Sequence, residues 1–452
     1  MTAPRSIPRS TIVVGALTLV VFALVGVIAS CSLNAPRAGG SALAPRPTEE
    51  PAIRVRVHAR TTLATITLRP AYEGAQATGV LGLRWTTPGG SPGADAIAVP
   101  AEVTIEGGSV VLRAPSGETF GHAPGRALTI APPAGGTLML DGAAIPGTFT
   151  IEPRRESTDA GAGVFDVIAE MSVENYLPGV VAKELYPSWP LATFQAQAIC
   201  ARSYALHERA RARRAGRSYD VESTTQDQVF GGATDLAVAH DAVTSTRGQV
   251  LTYRGEVLRA YYSSTSGGRA ASAADTWPTG PGYEFNTLAP LQAAPREYAD
   301  EASPAHRWER QRRTARLSLR LRRYGEENGK SVKNIGTIAV IAPTSHNAVG
   351  RPTRYTVRDN HGREFVLKAE ELRLACNWPV PGVPDITAKQ RVRSGDLTAR
   401  VEGDVTVIEG RGFGHGVGLC QYSAAGFAAK GWAYRDIVLH FYPGAELERI
   451  YR

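Results

Sequence analysis

The run Gly410-Arg411-Gly412-Phe413-Gly414-His415-Gly416-Val417-Gly418-Leu419-Cys420-Gln421-Tyr422 constrains this chain more than any other stretch. Five glycines alternate with larger residues from Gly410 to Gly418, with one His among them and a Gln shortly after. Glycine opens positive φ and lets another backbone or molecule come close to the main chain. So few side chains leave little to pack in a core. The run reads as a loop that holds something against exposed backbone N–H groups, or else as a glycine-rich hairpin corner. Ala424 to Lys430 reads as a short helix. A glycine-rich loop feeding a helix N-terminus suits a polar or anionic ligand. The pattern is neither a dinucleotide fingerprint nor a phosphate loop ending in Gly-Lys-Ser/Thr, so nucleotide binding is not expected.

A chain of 452 residues has room for two or three domains. Its 47 glycines and 30 prolines point to many turns and much β structure. The net charge of +8 favours anionic surroundings: nucleic acid, a membrane surface or an anionic wall polymer. The N-terminus discriminates among them. Arg5 and Arg9 precede an apolar run from Ile12 to Ala29, followed by Ser30-Cys31, which is the pattern of an export signal. Two versions stay open. Ile28-Ala29-Ser30-Cys31 resembles the lipobox of bacterial lipoproteins, with Cys31 as the lipidated residue. The same run is also near the length that spans a bilayer as an uncleaved signal anchor. Either version puts the body outside the cytoplasmic membrane, tethered in a bacterial cell envelope, where nucleic acid is not an expected partner. Cys200, Cys376 and Cys420 are too sparse for a disulfide scaffold. They are read as buried free thiols, with a single Cys200–Cys376 or Cys200–Cys420 disulfide as the alternative. No close Cys/His pair suggests zinc, and no cofactor is expected.

Four segments follow. Residues 1–31 are the signal or anchor. Residues 32–52 are an Ala/Pro-rich flexible linker. Residues 53–155 form a small β-rich module: Ile53 to Val57 alternates, and Val103 to Leu112 reads as a hairpin around Gly107-Gly108. That module shows no ionisable cluster. Residues 156–452 form the larger domain. There Glu174 to Leu185 has helical spacing, and Tyr186-Pro187-Ser188-Trp189-Pro190 breaks it. A second helix runs to about Arg214, with Ser188 as its expected cap and Pro190 in its first turn. Gln249 to Tyr253 and Glu256 to Tyr262 flank Arg254-Gly255 as a hairpin. Arg307 to Arg323 holds eight arginines around Leu317, Leu319 and Leu321, and reads as a solvated helix face or as a dock for anionic polymer. The expected fold is α+β. It has mixed, mostly antiparallel sheets and a long helix carrying the catalytic motif, preceded by the β module and the membrane tether.

Glu184 is the candidate for chemistry. A carboxyl at a helix end beside Tyr186 and Trp189 would be partly desolvated, which raises its pKa and suits a general acid. The bland alternative is a surface Glu paired with Lys183 or Arg202. Most glycosidases need a second carboxylate. Glu174, Asp220, Glu222 and Asp227 are available, but nothing singles one out. A lytic transglycosylase tolerates that gap, because the substrate's own 6-hydroxyl attacks the anomeric carbon and one Glu serves as acid and then base.

Four ordered motifs carry a family resemblance: Glu174-Asn-Tyr-Leu-Pro-Gly-Val-Val-Ala-Lys-Glu184, Gln195 to Ala198 with Ala201-Arg-Ser-Tyr-Ala205, Tyr262-Ser-Ser-Thr-Ser-Gly-Gly268, and Gly412 to Gln421. Together they resemble the SpoIID/LytB family of stage II sporulation protein D and amidase-enhancer proteins, from about Val173 to Tyr451. The resemblance implies action on peptidoglycan glycan strands, with peptide-free strands as substrate and Glu184 as the catalytic acid. It implies a substrate groove lined by Ser264, Ser266, Gly267, Gly268, His415 and Gln421, with Arg202 and Tyr204 in support. It also implies an alternative role as a wall-binding activator of a cell-wall amidase, without cutting. Two departures stand out. No Cys lies in the sequence between Cys200 and Cys376, whereas some relatives bind zinc through Cys and His near the serine-glycine loop. Leu185-Tyr186-Pro187 is one residue longer than the usual Met-Pro after the Glu.

Overall fold

The computed structural model of the protein describes residues 49–69, 79–86, 91–133, 136–157 and 163–452. The expected signal or anchor, Cys31 and most of the linker lie outside these residues. No helix among the described residues is long and apolar enough to cross a membrane.

The fold is α+β with mostly antiparallel sheets. A seven-stranded sheet runs in the order Val221–Glu222, Ala52–Thr61, Gly163–Ser172, Thr148–Ser157, Leu128–Ala131, Val80–Thr86, Pro92–Ala98. A six-stranded sheet, from Ala143–Ile145 to Thr119–Gly121, packs against it. Alternation explains the packing. Ile53 and Val55 of one strand point into the core with Phe149, Ile151, Phe165 and Val167, while the residues between them face outward. The hairpin at Gly107-Gly108 forms as expected, with both glycines at positive φ.

Eight α-helices lie among the described residues: α1 (Val173–Glu184), α2 (Leu191–Arg214), α3 (Ala237–Ser245), α4 (Ala273–Thr276), α5 (Thr314–Glu327), α6 (Ala369–Cys376), α7 (Gln421–Ala429) and α8 (Tyr434–Phe441). Ser172 caps α1 by accepting the Asn175 N–H at 3.2 Å. The long helix is α2, so the helix that carries Glu184 is the shorter one. Pro190, not Ser188, occupies the cap position of α2. α2 is apolar on two faces. Phe194, Ala198, Ala201 and Ala205 pack into the same core as the β module and α1, whereas Ala196, Ile199, Cys200 and Tyr204 pack into a second core with α7 and α8. Buried Gln197, Arg202, Ser203, His207 and Glu208 lie among these apolar positions, so the helix is interior along most of its length. A third core joins α5 and α6 to the sheet Ile338–His346, Pro352–Asp359, Glu364–Lys368. The expected boundary at residue 155 falls inside the strand Thr148–Ser157, and the β module shares its core with α1 and α2.

Several local expectations change. Arg307–Arg313 is a strand paired with Val405–Arg411, and only from Thr314 does the arginine-rich stretch become helical. Alternation of Trp308 and Arg312 toward the interior is a period of two that the leucine spacing farther on obscured. The hairpin after Gln249–Tyr253 ends at Val257, and Tyr262 joins a different sheet. All three described cysteines are free and buried, so neither proposed disulfide forms. The β module does meet an ionisable cluster. Arg56 pairs with Glu222 and with buried Asp166 (2.9 Å), and Arg54 pairs with buried Asp220 (2.7 Å). Its acids come from more than a hundred residues away, beyond the reach of local pattern.

One buried ion pair ties the helices together. Arg202 of α2 is fully buried and makes two 2.9 Å hydrogen bonds to the Glu174 carboxylate of α1. The same guanidinium donates to Val243 O (3.3 Å) and Gln249 O (3.1 Å). Glu174 also accepts from Gly248 N (3.2 Å) and from Tyr451 OH (2.6 Å). Arg202→Ala strands a buried carboxylate and is expected to lower unfolding stability by about 3–5 kcal/mol. Urea denaturation reads this, and an unchanged midpoint would contradict the role.

Candidate active site at the end of α1

Two loops distant in sequence meet here. Tyr262–Ser263 pairs in parallel with Leu419–Cys420. Thr265 and Phe413 then exchange backbone hydrogen bonds at 3.1 and 2.8 Å. This approach requires glycine. A Cβ on Gly418 would lie 1.9 Å from Tyr261 O, and one on Gly412 would lie 2.5 Å from Thr265 O; both residues have positive φ. The expectation of an open cradle of backbone N–H groups is therefore corrected. The N–H groups of Phe413, Gly414 and Leu419 donate to Thr265 O, Arg393 O and Tyr261 O, and that of Val417 donates to His415 Nδ1. Val417, Leu419 and Cys420 are core residues.

What the loop delivers is Gln421, the first residue of α7. Its Nε2 donates to Glu184 Oε2 at 3.0 Å and lies 3.4 Å from Gln197 Oε1 of α2. Glu184 ends α1, because Leu185 and the Tyr186-Pro187 step that follows are extended or restricted by proline. Burial raises the Glu184 pKa above its ordinary value and outweighs the hydrogen bonds from Gln421 and the Val229 backbone, which favour the ionised form. Glu184 has no ion pair among the described residues. Arg202 is taken by Glu174, and Lys183 lies against Gly231. Behind the carboxyl stand Tyr176 and Tyr262, bridged by Gln228, which accepts from Tyr176 OH (3.3 Å) and donates to Tyr262 OH (2.9 Å). Burial, with a contribution from the Glu184 charge, keeps both phenols neutral.

Aromatic rings form the wall. Trp189 meets Tyr422 edge-on at 4.9 Å and Tyr186 at 5.2 Å, and Tyr186 is 50% exposed. Tyr422 is held by its N–H, which donates to Ser264 O at 3.0 Å. Sequence reasoning assigned no role to Gln197, Tyr262, Gln228 or Tyr422. Tyr422 directly follows Gln421, and Gln197 and Tyr262 lie inside motifs that carry the resemblance, so all three were visible as neighbours. Gln228 needed the fold.

The other expected site residues divide. Ser264 is half-buried beside the wall, and Gly268 is exposed. Ser266 and Gly267 are buried and donate their N–H groups to Cys420 Sγ (3.2 Å) and Asp300 Oδ2 (2.7 Å). His415 turns toward Trp277 (4.9 Å) and Tyr261 (6.0 Å), and no contact joins it to Glu184. Burial, helped by Arg373 and Arg351, lowers its pKa to about 4, so the ring is neutral. Its Nδ1 accepts the Val417 N–H, which leaves the proton on Nε2. Arg202 and Tyr204 face the interior. The Tyr204 OH donates to Asp227 (2.9 Å) and accepts from Arg259 (2.9 Å). The four spare acids are all committed: Glu174 to Arg202, Asp220 to Arg54, Glu222 to Arg56, and Asp227 to Tyr204 OH and the Glu222 N–H.

A carboxyl whose folded pKa exceeds its unfolded 4.5 binds its proton more tightly when folded, so stability falls as pH rises from 4.5 through the folded value. Glu184→Gln removes that loss. The variant is expected to melt higher than the parent at neutral pH and alike in acid. Thermal melts across pH check this, and a variant less stable at neutral pH would contradict the burial argument.

Residues 162–253 match the family model described as Stage II sporulation protein, and residues 283–418 match a domain of unknown function, DUF8618. An uncharacterized protein of Brachyspira hyodysenteriae is 28% identical over 291 residues, covering 62% of this chain and 68% of that protein. The amidase enhancer of Bacillus subtilis is 26% identical over 290 residues, covering 60% of this chain but only 40% of that protein. Stage II sporulation protein D of Bacillus subtilis is 26% identical over 294 residues, covering 62% of this chain and 75% of that protein. The Stage II sporulation model spans α1 with Glu184, α2 and the strand Gln249–Tyr253, and two of the relatives bear the two names of the resemblance, so these matches support the likeness to the SpoIID/LytB family.

Proposed function

We propose that the protein is a peptidoglycan lytic transglycosylase that cleaves peptide-free glycan strands outside the cytoplasmic membrane, where an N-terminal anchor or lipid at Cys31 tethers it. One observation carries this reading. Glu184 is a desolvated carboxyl without a cationic partner, held by Gln421 at the foot of an exposed aromatic wall. In the first step protonated Glu184 gives its proton to the glycosidic oxygen, and the bond from that oxygen to the anomeric carbon breaks. In the second the Glu184 carboxylate takes the proton of the muramyl 6-hydroxyl as O6 bonds to the anomeric carbon. Glu184 is again protonated, the muramyl end is a 1,6-anhydro ring, and no water is consumed. The Gln421 amide steadies the carboxylate between the steps. A hydrolase would need a second carboxylate to activate water, and the four acids available for that role, Glu174, Asp220, Glu222 and Asp227, serve internal partners.

A second reading has its own support. One relative is named amidase enhancer, which favours a non-enzymatic, wall-bound activator of a cell-wall amidase. Mass spectrometry of digests separates the two. Anhydro-muramyl ends are expected from peptide-free strands, with Glu184→Gln slower by about 100-fold or more. Reducing ends would mean hydrolysis. No products, with amidase stimulation unaltered in Glu184→Gln, would establish the activator.

A further inference from the structure

The aromatic wall does not end at Tyr422. Tyr422 is bonded to Ser264 O, and the next residue, Thr265, pairs with Phe413. Phe413 is 41% exposed, unusual for a large ring anchored on both backbone hydrogen bonds. The Arg393 guanidinium lies 5.9 Å over that ring. Arg393 is fixed at two points: its Nη1 donates to Pro304 O at 3.1 Å, and its carbonyl accepts the Gly414 N–H at 3.0 Å. It has no ion pair among the described residues, whereas Arg269 and Arg400 are each paired with an acid. Arg310 adds positive potential beside it. Tyr422 feels the same charge. A half-exposed, positioned arginine thus stands close enough to Tyr422 for its charge to act on that ring.

We infer that Arg393 reads an anion carried by the sugar that stacks on this wall, namely the lactyl carboxylate of a muramic acid bearing no stem peptide. This rests on the glycan reading above. Guanidinium presents a planar fork that fits a carboxylate with two parallel hydrogen bonds. A stem peptide converts that carboxylate to a neutral amide and adds bulk at the same place. Arg393 is thus a specificity residue, separate from the acid that breaks the bond. A polymer phosphate offers the guanidinium similar chemistry, but it is not attached to the ring held by Tyr422 and Trp189.

The test is calorimetric binding with the full chain carrying Glu184→Gln, so that no cleavage intervenes. The probes are peptide-free glycan strands, the same strands with their lactyl carboxyls amidated, chito-oligosaccharide, and inorganic phosphate as competitor. Peptide-free strands are expected to bind about tenfold tighter than the amidated strands. Arg393→Gln removes that difference, Arg393→Lys restores part of it, and chito-oligosaccharide binding, unchanged throughout, reports that the variants are folded. Equal binding of the two strand forms by the Arg393 parent overturns the inference while leaving the glycan reading intact. Displacement by millimolar phosphate, with no preference between strand forms, also overturns it, in favour of a phosphate site. No binding of any glycan overturns the glycan reading itself.

Discussion

The buried Glu174–Arg202 pair is the contact on which the rest depends. It joins α1 to α2, and through carbonyls and the Tyr451 hydroxyl it also holds the end of α3, the Gly248 turn and the C-terminal residues. Two charges removed from water need every donor and acceptor satisfied, and here the ring of partners does so. Because α1 ends in Glu184 and α2 supplies Gln197, the same pair fixes two of the three side chains that meet at the carboxyl. A groove residue in the sequence reading is thus a foundation in the fold.

The second constraint is steric. Tyr262–Ser263 and Leu419–Cys420 run side by side only because Gly418 and Gly412 have no Cβ. The glycines bring backbone to backbone, and the N–H groups of Phe413 and Leu419 are taken by Thr265 O and Tyr261 O in doing so. The benefit at the site is indirect. Gln421 and Tyr422 emerge from a rigid pairing, so one reaches Glu184 and the other completes the wall.

Electrostatics separates Glu184 from its neighbours. Cationic or hydrogen-bonding partners hold the Glu174 carboxyl below its ordinary range despite burial, with Arg202 foremost. Glu184 has one amide, one backbone N–H and no cation among the described residues, so desolvation wins and its pKa rises above the ordinary value. Two glutamates of one helix, one at its start and one at its end, therefore have opposite character. His415, edge-on to Trp277 and neutral, supports the loop and takes no charge of its own near neutrality.

Local pattern was enough for much of this. Alternation at Ile53 to Val57, the Gly-Gly hairpin, the helix ending before Tyr186-Pro187 and the α+β class were all legible, because strand period, turn chemistry and proline limits act over a few residues. The position of Glu184 beside Tyr186 and Trp189 was legible for the same reason. What lay beyond was every choice of partner. Arg202 has acids and carbonyls to choose from along the whole chain, and only packing decides that it takes Glu174 and not Glu184. The arginines from Arg307 became a strand because a distant strand, Val405–Arg411, was there to pair. The glycine run by itself pointed to another atom close against the backbone, because missing side chains open that space. Tertiary structure decided that this atom belongs to the protein, because the serine-glycine loop, 150 residues earlier in the chain, fills that space before any ligand can.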